Sequence, residues 1–289
     1  MTHSYDPLMD AIRIQKKFDR AARHYDTHAF VQEHINQQVI ERLSLLKIAP
    51  KIIVDLGAGT GLLTPALRTL YPSADILSID FAHGMLQQLR KKNHASIPIC
   101  ALAEYLPIKG QSVDLLVSSS MLQWCVSPQQ VFQACHQVLS DGGYFLFSSY
   151  GPDTLCELRA AWQQVDTQVH VNQFIDMHYL GDWLKQSGFK DIVMDRDLLR
   201  IRYASVQQVL ADIKGIGANY VKNGRKGLTT RSQLQKLYQA YPRNTANKFT
   251  ASFEVIFGLA LNHIAPFKQA GATRIPVDSI PGPKNINNK

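Results

Sequence analysis

What the chain lacks narrows it first. Its four cysteines, Cys100, Cys125, Cys135 and Cys156, form no C-x-x-C pair and have no metal-ligand spacing. That excludes a disulfide framework, argues against a structural metal, and reads as reduced thiols of a cytoplasmic protein. No apolar run reaches the about 18 residues that a membrane span needs. The opening MTHSYDPLMDAIRIQKKFDR holds no hydrophobic signal core, so no secretory route is expected. There is no internal repeat and no nucleic-acid module pattern such as paired aromatics in an RNP motif. One segment also lacks acid. From Arg200 to Thr250, Asp212 stands alone against Arg200, Arg202, Lys214, Lys222, Arg225, Lys226, Arg231, Lys236, Arg243 and Lys248. This segment accounts for the net charge of +8. It is either a solvated basic face or a docking surface for an acidic partner.

What is present is a globular chain of 289 residues, 45% hydrophobic, enough for one large or two small domains. Its most informative stretch is Lys51-Ile-Ile-Val-Asp-Leu-Gly-Ala-Gly-Thr-Gly61. An apolar run meets Asp55, and glycines follow at 57, 59 and 61 before a helical segment. This pattern predicts a buried parallel strand, a tight turn that a ligand can approach closely, and a helix behind it. A second apolar run ends in Asp80, where an acid would hydrogen-bond a ribose diol. Asp55 lies too near the glycines for a pyrophosphate, which it would repel. A carboxylate there suits the ammonium and sulfonium of S-adenosylmethionine.

Periodicity fills in the rest. Residues 8–48 read as helical and Ala49-Pro50 stops them. Strands are expected at 52–56, 76–80, 97–101, 113–119 and 143–149, and helices at 62–70, 83–92 and 128–139. That alternation predicts an α/β, doubly wound parallel sheet. Asp141-Gly-Gly143 reads as a turn. Helices follow at 152–166 and 178–187, a strand at 190–203, helices at 205–217 and 229–240, and a last strand at 250–261. The expected organisation is an N-terminal helical cap (1–50), a catalytic domain (51–265) with a helical lid at about 205–240, and a frayed tail (266–289).

The motif order Asp55 to Gly61, Asp80, Leu102-Ala-Glu-Tyr-Leu-Pro107 and Ser112-Val-Asp-Leu-Leu-Val-Ser-Ser-Ser120 resembles the class I adenosylmethionine-dependent methyltransferases. The resemblance implies a Rossmann-like methyltransferase sheet. It also implies a cofactor site of Asp55, Gly57, Ala58, Gly59, Asp80, Phe81, Met85, Ala103, Glu104 and Ser119, with no metal. More specific stretches are Phe18-Asp-Arg-Ala-Ala-Arg-His-Tyr-Asp-Thr-His28, Leu122-Gln-Trp-Cys125, Tyr150-Gly-Pro-Asp-Thr-Leu-Cys-Glu-Leu-Arg159 and Asn172-Gln-Phe-Ile-Asp-Met-His178. Ile213-Lys-Gly-Ile-Gly-Ala218, Gly224-Arg225 and Leu228-Thr-Thr-Arg231 extend the set. Together these are similar to the malonyl-[acyl-carrier protein] O-methyltransferases of biotin synthesis, from about Phe18 to Leu261. The chain departs from that family at Leu102, where an acid is common, and at Ser119, where asparagine is common.

The resemblance implies transfer of the adenosylmethionine methyl to the free carboxylate of a malonyl thioester carried by an acidic acyl carrier protein. The basic 200–250 segment would meet that partner. A monomer is favoured, with no nucleic acid and no membrane. The nucleophile is already ionised at neutral pH, so no general base is required. The candidates for holding the malonyl carboxylate are the hydroxyl of Tyr25 and the cations Lys214, Arg225 and Arg231. Trp124 and His28 are candidate pocket residues. Two alternatives stay open: a methyltransferase on another small molecule such as a quinone precursor, and a cofactor-binding assembly factor. A nucleic-acid methyltransferase ranks third.

Overall fold

The computed structural model describes residues 7–263 except 93, 94, 223, 225–228, 245 and 246. Three helices open the chain: α1 (Pro7–Ala21), α2 (Tyr25–His28) and α3 (Phe30–Ser44). The parallel part follows as β1 (Ile52–Leu56), α4 (Thr64–Leu70), β2 (Asp75–Asp80), α5 (His83–Lys92), β3 (Ile97–Cys100), β4 (Val113–Ser118), α6 (Pro128–Val138) and β5 (Leu139–Tyr150). Then come α7 (Cys156–Gln163), α8 (Met177–Gln186), β6 (Lys190–Tyr203), α9 (Val206–Gly215), α10 (Arg231–Ala240) and β7 (Phe249–Asn262). The sheet order is β3-β2-β1-β4-β5-β7-β6, with β7 antiparallel to both of its neighbours. This is the doubly wound α/β sheet expected from the strand–helix alternation. Because β2 and β4 flank β1 on opposite sides, the chain changes direction there, and ligands bind outside the carboxyl ends of such strands.

The central strands are apolar on both faces because helices cover both. Ile53, Leu115 and Leu146 turn to one core with Val31, Ile35, Leu67, Leu158, Val206 and Leu237 from the helices. Their chain neighbours Val54, Leu116 and Phe147 turn to the other, with Phe132, Val138, Leu180 and Leu184. In α3 the buried residues Val31, Ile35, Val39 and Leu43 recur every four positions, one stripe of a helix. Ser127 caps α6 by accepting from Gln130 N–H, with Pro128 at the first helical position. Thr230 and Gln233 close a capping box on α10.

Several boundaries differ from the periodicity. The 8–48 helical run is broken into three helices by turns near 22–24 and at Ala29. The helix expected from 152 starts at Cys156, because Leu155 is in the left-handed region (φ 55°) and Thr154 exchanges hydrogen bonds with the Glu254 backbone. The Asp141-Gly-Gly143 turn falls inside β5, which begins at Leu139 opposite Val113 and shifts register by Leu115. A short 3-10 turn, Leu122–Trp124, follows β4. The tail at 266–289 lies outside the described residues. No described helix is long and apolar enough to cross a membrane.

Candidate active site

The carboxyl end of β1 carries Asp55, almost wholly buried, with Oδ2 accepting from the Thr64 hydroxyl at 3.0 Å. Burial pushes its carboxyl up to about 7, the Thr64 bond pulls it down, and the nearby Asp80 charge adds to the rise. Asp80, at the tip of β2, receives Gly59 N–H on Oδ2 at 2.9 Å and Ala82 N–H on Oδ1 at 2.8 Å. Burial dominates here too and raises this carboxyl to about 6. Two carboxylates that make no ion pair among the described residues are acceptors suited to an ammonium and a diol. Gly57 has a positive φ of 77°, and a Cβ there would meet Met121 Cγ at 2.3 Å, so the turn after β4 packs directly on the glycine backbone.

Gly57, Asp80, Phe81, Leu102, Ala103, Glu104, Met121, Trp124 and Cys125 line a narrow slot of about 40 Å³ beside this turn. Glu104 Oε1 accepts Val126 N–H at 3.2 Å and Ser127 N–H at 3.4 Å, tying the turn after β3 to the loop after β4. The slot is far smaller than the roughly 300–1,000 Å³ of ordinary ligand sites. The groups present fit S-adenosylmethionine: Asp55 to accept from the ammonium, Asp80 to accept from the ribose hydroxyls, and the apolar slot walls for the adenine. Asp55, Ala58, Gly59, Met85 and Ser119 from the motif reading do not line the slot itself. Ala58 is buried beneath the turn. Met85 packs with Ala22, Phe18, Tyr25 and Phe81 behind the slot. The Ser119 hydroxyl lies 3.4 Å from that of Ser148, toward β5.

A second cavity, of about 960 Å³, adjoins the slot at Trp124, which lines both. Residues as distant in sequence as Met9, Leu158, Ile213 and Phe253 form its walls. Its polar groups include Tyr150, whose hydroxyl accepts from Gln32 Nε2 at 3.0 Å and is raised by burial to about 12. His170 lies flat on Trp162, with ring centroids 3.7 Å apart, and its Nε2 meets Asp166 at 2.8 Å. The Tyr220 hydroxyl donates to Asp10 of α1, joining the chain after α9 to the N-terminal cap.

Tyr25 is half-buried, packs with Ala22, Ala82 and Met85, and lines neither the slot nor the large cavity. Burial, then the fields of Tyr150, Asp80 and Asp26, raise its hydroxyl, which has no hydrogen-bond partner among the described residues. Lys214 and Arg231 are exposed and do not line this cavity, and Arg225 lies outside the described residues. Among the described residues, the Lys and Arg side chains on the cavity wall are Arg13 and Lys17 of α1. The periodicity could have found them, since 9, 13 and 17 share one helical face. His28 is not a pocket wall. Its Nδ1 pairs with Asp212 at 2.8 Å, holding α9 against α2.

A family model described as a methyltransferase domain matches residues 54–147. A malonyl-[acyl-carrier protein] O-methyltransferase from Methylovorus sp. (strain MP688) is 39% identical over 269 residues, covering 88% of this chain and 89% of its own. One from Legionella pneumophila is 35% identical, covering 92% and 96%. The chain belongs to the malonyl-[acyl-carrier protein] O-methyltransferase family. It is accordingly an S-adenosylmethionine-dependent methyltransferase. Among solved structures, the YcgJ protein from Bacillus subtilis aligns with a TM-score of 0.58 at 12% identity, over 80% of this chain and 99% of that one, which shows the shared fold.

Several residues of the motifs that carry the family resemblance line the large cavity, and others in the same stretches hold its walls. In the 150–159 stretch, a Cβ at Gly151 would strike the Glu254 carboxylate at 2.5 Å. Glu157 takes the Ser252 hydroxyl and N–H. Arg159 donates to the carbonyls of Pro152, Thr154 and Asn172. Asn172 in turn donates to the Tyr220 carbonyl at 2.7 Å. Past Thr230, Gln233 donates to Asp166, the partner of His170. These bonds hold the cavity walls rather than reaching into the cavity.

Proposed function

We propose that this chain methylates the free carboxylate of a malonyl thioester presented by an acyl carrier protein. The observation that carries the reading is the roomy cavity that shares Trp124 with the cofactor slot and has Arg13 and Lys17 of α1 on its wall. The cofactor supplies an electrophilic methyl on sulfur. A carboxylate oxygen attacks it in line, the carbon–sulfur bond breaks, and S-adenosylhomocysteine leaves.

The chain's own work is positioning and exclusion of water. Malonate is ionised at neutral pH, which accords with a cavity whose hydroxyls are raised rather than activated. Arg13 or Lys17 attracts the carboxylate. The hydroxyl of Tyr25, beside Asp80, Asp26 and Tyr150, orients it toward the cofactor side. Apolar walls from Leu158, Trp162 and Phe253 hold the thioester arm. Lys214 and Arg231, being exposed, would serve at the surface, and Arg225 remains a candidate for the carboxylate.

The test uses adenosylmethionine carrying a ¹³C methyl and a malonyl thioester of N-acetylcysteamine. The reading expects a single new ¹³C methyl-ester resonance, absent with the acetyl thioester. Label that stayed on the cofactor while the cofactor still bound would point to a different substrate or to an assembly role.

A further inference from the structure

The acids of α1 face inward. Asp10 is buried, takes the Tyr220 hydroxyl and lies 3.7 Å from Arg13. Asp19 accepts Gly84 N–H at 2.7 Å and so fastens α1 to α5. Gln15 adds a bond to the Phe81 carbonyl at 2.6 Å. With both acids engaged beneath the helix, its outer face presents Met9, Arg13, Lys16 and Arg20, all exposed. The steps of four, three and four make one continuous stripe of an α-helix. Arg23, also exposed, continues it past the helix end. Lys16, Arg20 and Arg23 make no ion pair among the described residues.

The stripe starts at the mouth of the large cavity. Met9, Arg13 and Lys17 line that cavity, and across the opening stands Val169. Met9 and Val169 are 45% and 46% exposed, large for apolar side chains, so the rim is greasy as well as basic. Lys222 lines an adjoining hollow with Asp10, Ile14 and Tyr220, extending the basic rim onto the chain after α9. The remaining described cations of 200–250 are dispersed. Arg200 and Arg202 project from the sheet-edge strand β6, and Arg243 lies over the Phe249 ring at 4.8 Å.

We infer that the outer face of α1, from Met9 to Arg23, is the docking surface for an acidic carrier protein, whose acylated arm enters past Met9, Arg13 and Val169. The inference rests on the carrier-borne substrate proposed above. Complementary charge would steer the partner and set its orientation, and the apolar rim would seal the arm's entry.

The test measures binding of holo carrier protein by fluorescence anisotropy, and turnover of the N-acetylcysteamine malonyl thioester. Lys16→Glu/Arg20→Glu is compared with Arg200→Glu/Arg202→Glu, and matched thermal melts control for folding. The α1 pair is expected to lose about tenfold or more in carrier affinity at low salt. It should leave turnover of the small thioester unchanged, and the β6 pair should leave both unchanged. Unaltered carrier affinity in the α1 pair, or a loss confined to the β6 pair, would overturn the inference. So would a native protein that methylates the small thioester but does not bind the carrier. A native protein that binds the carrier through α1 yet methylates no malonyl thioester would keep the docking surface and refute the proposed reaction.

Discussion

At the residue scale, the site is governed by two carboxylates held against their preference. Asp55 and Asp80 bind protons more tightly in the folded, ligand-free chain than in the unfolded one. They therefore subtract stability as pH rises from the ordinary value of 3.8 through about 6 and about 7. A bound ammonium offsets that cost. Affinity for adenosylmethionine should accordingly rise by about tenfold between pH 5.5 and pH 8, as read by isothermal titration. Asp55→Asn should abolish most of that rise while raising the melting temperature of the ligand-free protein at pH 8. A flat pH profile in the native chain would refute the assignment of Asp55. Gly57→Ala is the steric counterpart. It places a side chain at φ 77° against Met121, a strain of about 1–3 kcal/mol before any ligand is considered. It should lower the urea midpoint and eliminate measurable cofactor binding.

At the scale of elements, the parallel strands were legible because apolar runs bounded by acids and glycines have few other readings. What could not be read was how connections are clamped. Nothing local in the 150–155 stretch says that Thr154 will bond Glu254 about a hundred residues on, which delays α7 to Cys156. Nor does the helical N-terminus disclose that α1 folds back over the cofactor side to bond Gly84 and Phe81, bringing Arg13 and Lys17 to the cavity in place of Lys214 and Arg231. That Asp55, Gly57 and Asp80 lie together at neighbouring strand tips was legible beforehand because a strand tip and its turn are local. The substrate side was not, because its walls come from both ends of the chain. The α10 cap tests this coupling. Thr230→Ala removes a capping box and should cost about 1 kcal/mol in denaturant unfolding. By loosening Gln233 from Asp166, it should also raise KM for the malonyl thioester while leaving cofactor affinity unchanged. Equal effects on both ligands would mean that α10 supports the whole fold rather than the cavity.

At the scale of the molecule, the seven-stranded sheet offers one rim where β1, β2 and β4 end, and the N-terminal cap closes over it. The cofactor slot sits against the strand tips. The larger cavity is assembled from α1, α7, the loop before α8, and α9 with the chain that follows it. Trp124 stands where the two meet, edge-on to Phe18 of α1 with ring centroids 5.4 Å apart.

The measurement that tests the central claim most directly is intact-mass analysis of malonyl-carrier protein after incubation with this chain and adenosylmethionine, beside acetyl- and succinyl-carrier protein. The account predicts that the malonyl form gains the mass of one methyl group and the acetyl form gains none. No gain on the malonyl form, or an equal gain on the acetyl form, would contradict methylation of a free malonyl carboxylate.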